Sequence, residues 1–312
     1  MTKDDPYYIS AVGALGEGSS NSLSKDTDLA LAIGTKLADF TTGSWANFEN
    51  PNFKLVSVNT ARYDTTKHLA TPVISDAKVG LQKISEALGD WKAPDDWYKR
   101  AIKEKNEWDA YVEKQSGPTN QEEPSYAHAV GAVYRNSDPS DIVVTAAGGL
   151  VGEVVQVWKP KQLNTFETEW GFSCMGYEIS GALGIKMAKP DQDVVVFVGD
   201  GSYLLNNTDI YSSVIYDQKL IIIVCDNGGH MVINRLQLAK GGKEYICNLR
   251  AARATNLKFV DFENHAKSMG ANAETVSSTS ELEAAYKRAK DSDKTYVITI
   301  KTHGYEWLEG TA

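Results

Sequence analysis

"DVVVFVGDGSYLLNN", residues 193–207, decides how the chain is read. Val194–Val198 is an unbroken apolar run, mostly β-branched. Such runs are strands covered on both faces, as in parallel sheets. The run stops at Gly199-Asp200-Gly201, which sets a carboxylate at the strand tip between two residues without side chains. An acid there needs a partner. A second apolar run, "LIIIVCDNGG" at 220–229, ends in Asp226-Asn227-Gly228-Gly229, and Asn227 follows Asp200 by 27 residues. That interval suits one strand–helix–strand unit, whose right-handed crossover sets both tips on one sheet edge. In open parallel sheets, ligands bind beyond the carboxyl ends of the strands. Asp200 offers a carboxylate, Asn227 an amide oxygen and the Gly228–Gly229 turn a backbone carbonyl. Three hard oxygens, with room left for ligand phosphates and water, suit Mg2+ or Ca2+. The flanking glycines let backbone N–H groups at the following helix start approach a diphosphate. A surface Asp-Gly turn is the plain alternative for the tripeptide alone, and the matched Asn-Gly-Gly tip argues against it.

The rest of the chain carries the same alternation. "DLALAIGTKL" (28–37) and "KLVSVNT" (54–60) read as buried strands, and "DAKVGLQKISEAL" (76–88) as an amphipathic helix. Residues 91–123 are highly charged, helix-like and then loop-like around Gly117 and Pro118, and read as a linker and domain boundary. Beyond Pro124 come helix "SYAHAVGAVYRNS", strand "DIVVTAAGG" (141–149) and helix "CMGYEISGALGIKMA" (174–188). After the Asp200 strand follow helix "TDIYSSVIYDQ", the Asp226 strand, helices "NHAKSMG" (264–270) and "SELEAAYKRAKDS" (280–292), and strand "TYVITIKTH". The expected fold is α/β, with a doubly wound, largely parallel sheet. The expected domains are 1–90, a linker over 91–123, and 124–312.

Composition narrows the function classes. The 312 residues carry formal net charge −9 with 42% hydrophobic residues, which suits a globular chain and disfavours nucleic acid or an anionic membrane as partner. Three widely spaced cysteines, Cys174, Cys225 and Cys247, form no disulfide framework or zinc pattern and point to a reducing cytoplasm. There is no leader-like apolar segment at the N-terminus and no apolar run of membrane-spanning length.

The paired tips resemble the metal-diphosphate signature of thiamine-diphosphate-dependent enzymes, and the likeness runs through nearly the whole chain. "AIGTKLADFTTGSW", "FSCMGYEISGALGIKMA", "VGDGSYLL" and "INRLQ" resemble in particular the branch that hydrolyses a carbon–carbon bond of a cyclic dione in myo-inositol catabolism. The resemblance implies two Rossmann-like three-layer domains with parallel sheets, a partial middle domain and then a diphosphate-binding domain. It implies Asp200, Asn227 and the Gly229 carbonyl as metal ligands, and Gly199, Gly201 and Ser202 beside the diphosphate, with Gly149 near it. Met175 becomes the apolar wedge under the bent cofactor, and the Ser173 carbonyl lies near its exocyclic amine. The implied cofactors are thiamine diphosphate and Mg2+ or Ca2+, the substrate is a cyclic dione, and the assembly is a homo-oligomer. The family's activating glutamate lies on an N-terminal pyrimidine-binding domain to which nothing in these residues corresponds. No catalytic residue is therefore assigned on this chain, which is expected to be a C-terminal portion, inactive alone, that pairs with a pyrimidine-binding domain from elsewhere. Two alternatives stay open: an acetolactate-synthase-like decarboxylase or carboligase portion, and a non-catalytic fragment or subunit pairing with a separate chain.

Other motifs carry less. "GFSCMG" (171–176) lacks the glycine two places after serine that a nucleophile elbow needs. Cys174 has no paired base in view and reads as a buried, inert thiol. "GALGEG" (13–18) misses the dinucleotide-binding spacing and reads as a loop. His230 reads as an ordinary turn residue.

Overall fold

The computed structural model describes residues 2–169, 171–253, 256 and 259–308. The chain divides into two compact units, one of Tyr111–Leu308 together with the residues up to Tyr8, the other of Ile9–Ala110.

The Ile9–Ala110 unit holds a three-stranded parallel sheet of β1 (Leu29–Ile33), β2 (Lys54–Asn59) and β3 (Thr71–Ile74), in the order β1-β2-β3. Helix α1 (Ala77–Leu88) starts where the Asp76 carboxylate accepts the N–H groups of Lys78 and Val79. That cap satisfies donors the helix leaves open. Gly80 lets α1 sit close on β2, since a methyl there would lie 2.8 Å from Val58 Cγ1. Strand β1 is shorter than the run 28–37 suggests, because Gly34 turns the backbone to φ +65° directly after Ile33. The charged stretch forms α2 (Asp95–Gln115), one helix of 21 residues, and the division between the units falls inside it.

The other unit is a six-stranded, all-parallel sheet of β4 (Ile142–Thr145), β5 (Phe166–Thr168), β6 (Val194–Gly199), β7 (Ile221–Asp226), β8 (Asn272–Val276) and β9 (Tyr296–Lys301). Its order is β5-β4-β6-β7-β9-β8. The chain runs outward from β4 to β5, then returns past β4 to β6, so the order reverses between β4 and β6. A doubly wound sheet opens its ligand crevice at such a point. Val195–Val198 and Ile221–Cys225 are wholly buried. Each such side chain taken from water contributes about 1.5–3 kcal/mol, which is why the centre of the sheet is apolar without alternation. Helices α3 (Tyr126–Arg135), α4 (Leu150–Val157), α5 (Tyr177–Ala188), α6 (Asp200–Leu205), α7 (Thr208–Ile215), α8 (Met231–Ala239), α9 (Phe262–Ser268) and α10 (Thr279–Asp291) belong to the same unit. Helix α5 begins three residues later than the sequence suggests. The residues 173–176 form a turn instead, with Ser173 at φ +52° and Gly176 at φ +95°. Among the described residues, no helix is long and apolar enough to cross a membrane.

Candidate cofactor site at the strand tips

The register of the central strands sets the first elements of the site. Gly199 lies opposite Cys225 on β6 and β7, so Asp200 and Asp226 follow side by side and Asn227 comes one residue later. Asp200 is buried at the first residue of α6, and its Oδ2 accepts the Gly229 N–H at 2.7 Å. Burial, and after it the neighbouring Asp226, push the Asp200 carboxyl up to about 7, against the pull of N–H groups from Gly201 and Gly229. A carboxylate whose charge is penalised by burial is the kind a bound cation relieves. Asp226 instead closes its own turn by accepting the Gly228 N–H at 3.0 Å.

Asn227 is 5% exposed and donates through Nδ2 to Tyr126 Oη at 2.6 Å. Its Oδ1 is buried without a hydrogen-bond partner. Gly229 stands at φ +139° and forms an isolated antiparallel bridge with Asn248. That bridge is carried by His230 N–H to Cys247 O and Leu249 N–H to Gly228 O, leaving the Gly229 carbonyl outside it. A side chain at Gly229 would meet Cys247 O at 2.3 Å, so only glycine fits. The oxygen set is therefore one buried carboxylate, one unpartnered amide oxygen and one carbonyl, which fits a hard divalent cation. No group of three His, Cys, Asp or Glu side chains suits a metal among the described residues. A site made of one carboxylate, one amide and one backbone oxygen lies outside that pattern.

Of the remaining candidates, the structure brings Gly201 and Met175 together. A methyl on Gly201 would lie 2.6 Å from His230 Cε1 and 3.4 Å from Met175 Cε, so the glycine, the imidazole and the thioether methyl meet at one place. Met175 is 38% exposed. His230, read from sequence as an ordinary turn residue, borders this cradle. Gly149 precedes the first residue of α4, and a methyl there would meet the Trp307 ring at 2.7 Å. Backbone N–H groups of Phe172 and Cys174 both donate to the Glu169 carboxylate at 2.9 Å, which shapes the turn that carries Ser173 and Met175.

One residue that sequence reasoning missed ties three of these segments together. Glu178 is 1% exposed. Its Oε1 accepts Ala147 N–H at 3.2 Å and Ser202 Oγ–H at 2.9 Å, and its Oε2 accepts Gly176 N–H at 2.8 Å. The β4 tip, the 173–176 turn and the start of α6 thus share one carboxylate, whose burial raises its pKa while the three donors oppose the rise. The available signal was an acid in the otherwise apolar and small-residue stretch 177–185. Gly176 is equally constrained, because a methyl there would lie 2.6 Å from Asn206 Cβ with φ already at +95°. Gly176→Ala is expected to cost about 2 kcal/mol, the scale of a forced left-handed backbone, measured by chemical denaturation.

Residues 146–300 match the thiamine pyrophosphate enzyme C-terminal TPP-binding domain, and residues 1–84 the central domain of the same enzymes. Proteins named 3D-(3,5/4)-trihydroxycyclohexane-1,2-dione hydrolase are similar to the chain. That of Geobacillus thermodenitrificans is 31% identical over 98% of this chain and 53% of its own length. That of Lacticaseibacillus casei is 32% identical over 98% and 52%. The chain thus spans about half the length of the curated relatives it matches. The solved structure of the Rhodococcus jostii RHA1 thiamine diphosphate-dependent 4-hydroxybenzoylformate decarboxylase shares the fold. It gives a TM-score of 0.70 at 16% identity, covering 91% of this chain and 50% of that one. The sheet, its two glycine-flanked tips and the family matches lead to one conclusion: the chain belongs to the thiamine pyrophosphate enzymes and carries their central and C-terminal TPP-binding domains.

Proposed function

We propose that this chain holds the diphosphate and the divalent cation in a thiamine-diphosphate-dependent hydrolase that cleaves a carbon–carbon bond of a cyclic dione in inositol catabolism. The observation that carries the reading is the buried, unpartnered Asn227 Oδ1 on the strand tip beside the buried Asp200 carboxyl. Leaving a buried acceptor unmade costs about 1–3 kcal/mol, and a cation would satisfy it. In this reading Asp200, Asn227 and the Gly229 carbonyl hold Mg2+ or Ca2+. Backbone groups of Gly149, Gly199, Gly201 and Ser202 take the diphosphate, and Ser173 and Met175 take the aminopyrimidine end. When bound, thiamine diphosphate supplies a nucleophilic carbon that adds to a ketone and stabilises the charge left by bond cleavage. The chain's own part is to anchor, orient and partly desolvate. The same reading assigns the activating carboxylate to a pyrimidine-binding domain in another polypeptide segment, a homo-oligomeric assembly and a cytoplasmic setting. The relatives named as dione hydrolases support the hydrolytic branch.

The test is Mg2+-dependent binding of thiamine diphosphate to the full chain, followed by tryptophan fluorescence. Asp200→Ala is expected to weaken it about 30-fold, roughly 2 kcal/mol. Binding that is indifferent to Mg2+ and to this substitution would overturn the assignment. Turnover of the trihydroxycyclohexanedione is then measured with and without a pyrimidine-binding segment from a relative. Activity that appears only on its addition is the expected outcome.

A further inference from the structure

We propose that Tyr126 is a positioning residue that orients the Asn227 amide, so that its oxygen and not its NH2 group faces the cation. The inference rests on the reading of Asn227 as a ligand and extends it to a residue 101 positions away in the chain.

A primary amide has two nearly isosteric ends, and only the oxygen can bind a metal. Which end faces the site depends on what holds the other. Asn227 Nδ2 donates to Tyr126 Oη at 2.6 Å. Both residues are about as buried as each other, at 5% and 4% exposure, so water competes little for either group. Rotating the amide by half a turn would place Oδ1 against the hydroxyl and send two N–H donors toward the Asp200 side. A tyrosine hydroxyl can also donate, so it holds this orientation only while its own proton points away from the amide; with it accepting from Nδ2, Oδ1 is left as the free end.

The tyrosine is itself held firmly. It is the first residue of α3, whose N-cap Ser125 forms a reciprocal capping box with His128. The preceding Pro124 carbonyl accepts the His303 N–H at 3.0 Å. Its ring lies edge-on to Trp307, with centroids 6.1 Å apart and planes at 76°. The Oη also lies 4.0 Å from where a Gly199 methyl would stand, so the hydroxyl borders the β6 tip as well as the β7 tip. A rigid acceptor between two strand tips is what an amide needs to keep one orientation.

The experiment is a double-mutant cycle in the full chain. The Mg2+ concentration for half-maximal thiamine diphosphate binding is read by titration calorimetry, alongside the melting temperature without ligands. Tyr126→Phe keeps the ring packing and removes only the hydroxyl. It is expected to raise the Mg2+ requirement about tenfold, with affinity at saturating Mg2+ within about twofold of wild type and little change in melting. In an Asn227→Asp background both ends of the side chain are oxygens, so the same Tyr126→Phe change should move the Mg2+ requirement less than threefold. A merely structural tyrosine would move it equally in both backgrounds, and that result overturns the proposal. An unchanged Mg2+ requirement in Tyr126→Phe overturns it too. So does a Tyr126→Phe chain that fails to fold, since the hydroxyl would then serve stability instead of orientation. Wild-type chain without Mg2+-dependent binding would instead overturn the cofactor reading, and this inference with it.

Discussion

Glu178→Ala is expected to destabilise the 111–308 unit by about 3 kcal/mol and to lower its melting temperature by about 10 °C, at the scale of 2–4 °C per kcal/mol for a unit this size. The substitution strips the acceptor from Ala147 N–H, Gly176 N–H and Ser202 Oγ–H at once. Each buried donor left without a partner costs about 1–3 kcal/mol. Removing a carboxylate whose charge burial already penalises returns part of that sum, which keeps the net below the simple total. Thiamine diphosphate binding should fall with it, because the β4 tip, the 173–176 turn and the start of α6 lose their common anchor. Glu178→Gln separates geometry from charge. The amide keeps one oxygen for two of the donors but sets its NH2 against the third, so a loss of about 1–2 kcal/mol is expected. Circular-dichroism melts decide it. An alanine variant melting within about 2 °C of wild type would show that the three segments are held by something else.

The second large effect concerns pH. Glu153 on α4 is 1% exposed, accepts the Leu308 N–H through Oε1 at 3.0 Å, and has its Oε2 buried without a partner. Burial raises its pKa from 4.5 to about 7, opposed by the Leu308 N–H and by the Arg235 charge. The folded chain therefore holds this proton where the unfolded chain has released it. Stability present below the unfolded pKa is lost as pH rises from about 4.5 to about 7, and the shift corresponds to about 3 kcal/mol. Glu153→Gln keeps the acceptor for Leu308 and removes the titration. It should match wild type near pH 5 and exceed it by about 2 kcal/mol at pH 8, since amide hydrogens without partners take back some of the gain. Urea denaturation across that range measures both. Parallel pH curves for the two proteins would refute a proton held at Glu153.

The parts of the molecule visible in the sequence share one property: their signal is local. Strands β6 and β7 announce themselves because a strand buried on both faces must be apolar throughout, and their tips because glycine and acid stand next to each other. Helix α10 shows its apolar spacing because Leu282, Ala285, Tyr286 and Ala289 form its buried face, whereas the spaced apolar residues Val79, Leu81 and Leu88 of α1 are exposed. Strands β3, β5 and β8 escaped notice: β3 and β5 have only four and three residues, and β8, "NAETV", alternates with polar residues. Helix α4 escaped for the opposite reason. All eight of its residues are buried, glutamate and glutamine included, so it has no polar face to mark its period.

At the site, the sequence by itself determined which oxygen donors stand at the strand tips and how far apart they fall along the chain. Only the tertiary structure decided how each is used. Tyr126 reaches Asn227 across 101 residues, and Glu178 reaches back 31 residues to Ala147 and forward 24 to Ser202. Burial, joined at Asp200 by the neighbouring Asp226 charge, raises the ordinary acids Asp200 and Glu153 to about 7. Local sequence constrains backbone preference over a few residues. The direction in which a buried amide points, and the cost of charging a buried acid, are set by atoms that only folding brings within hydrogen-bond distance.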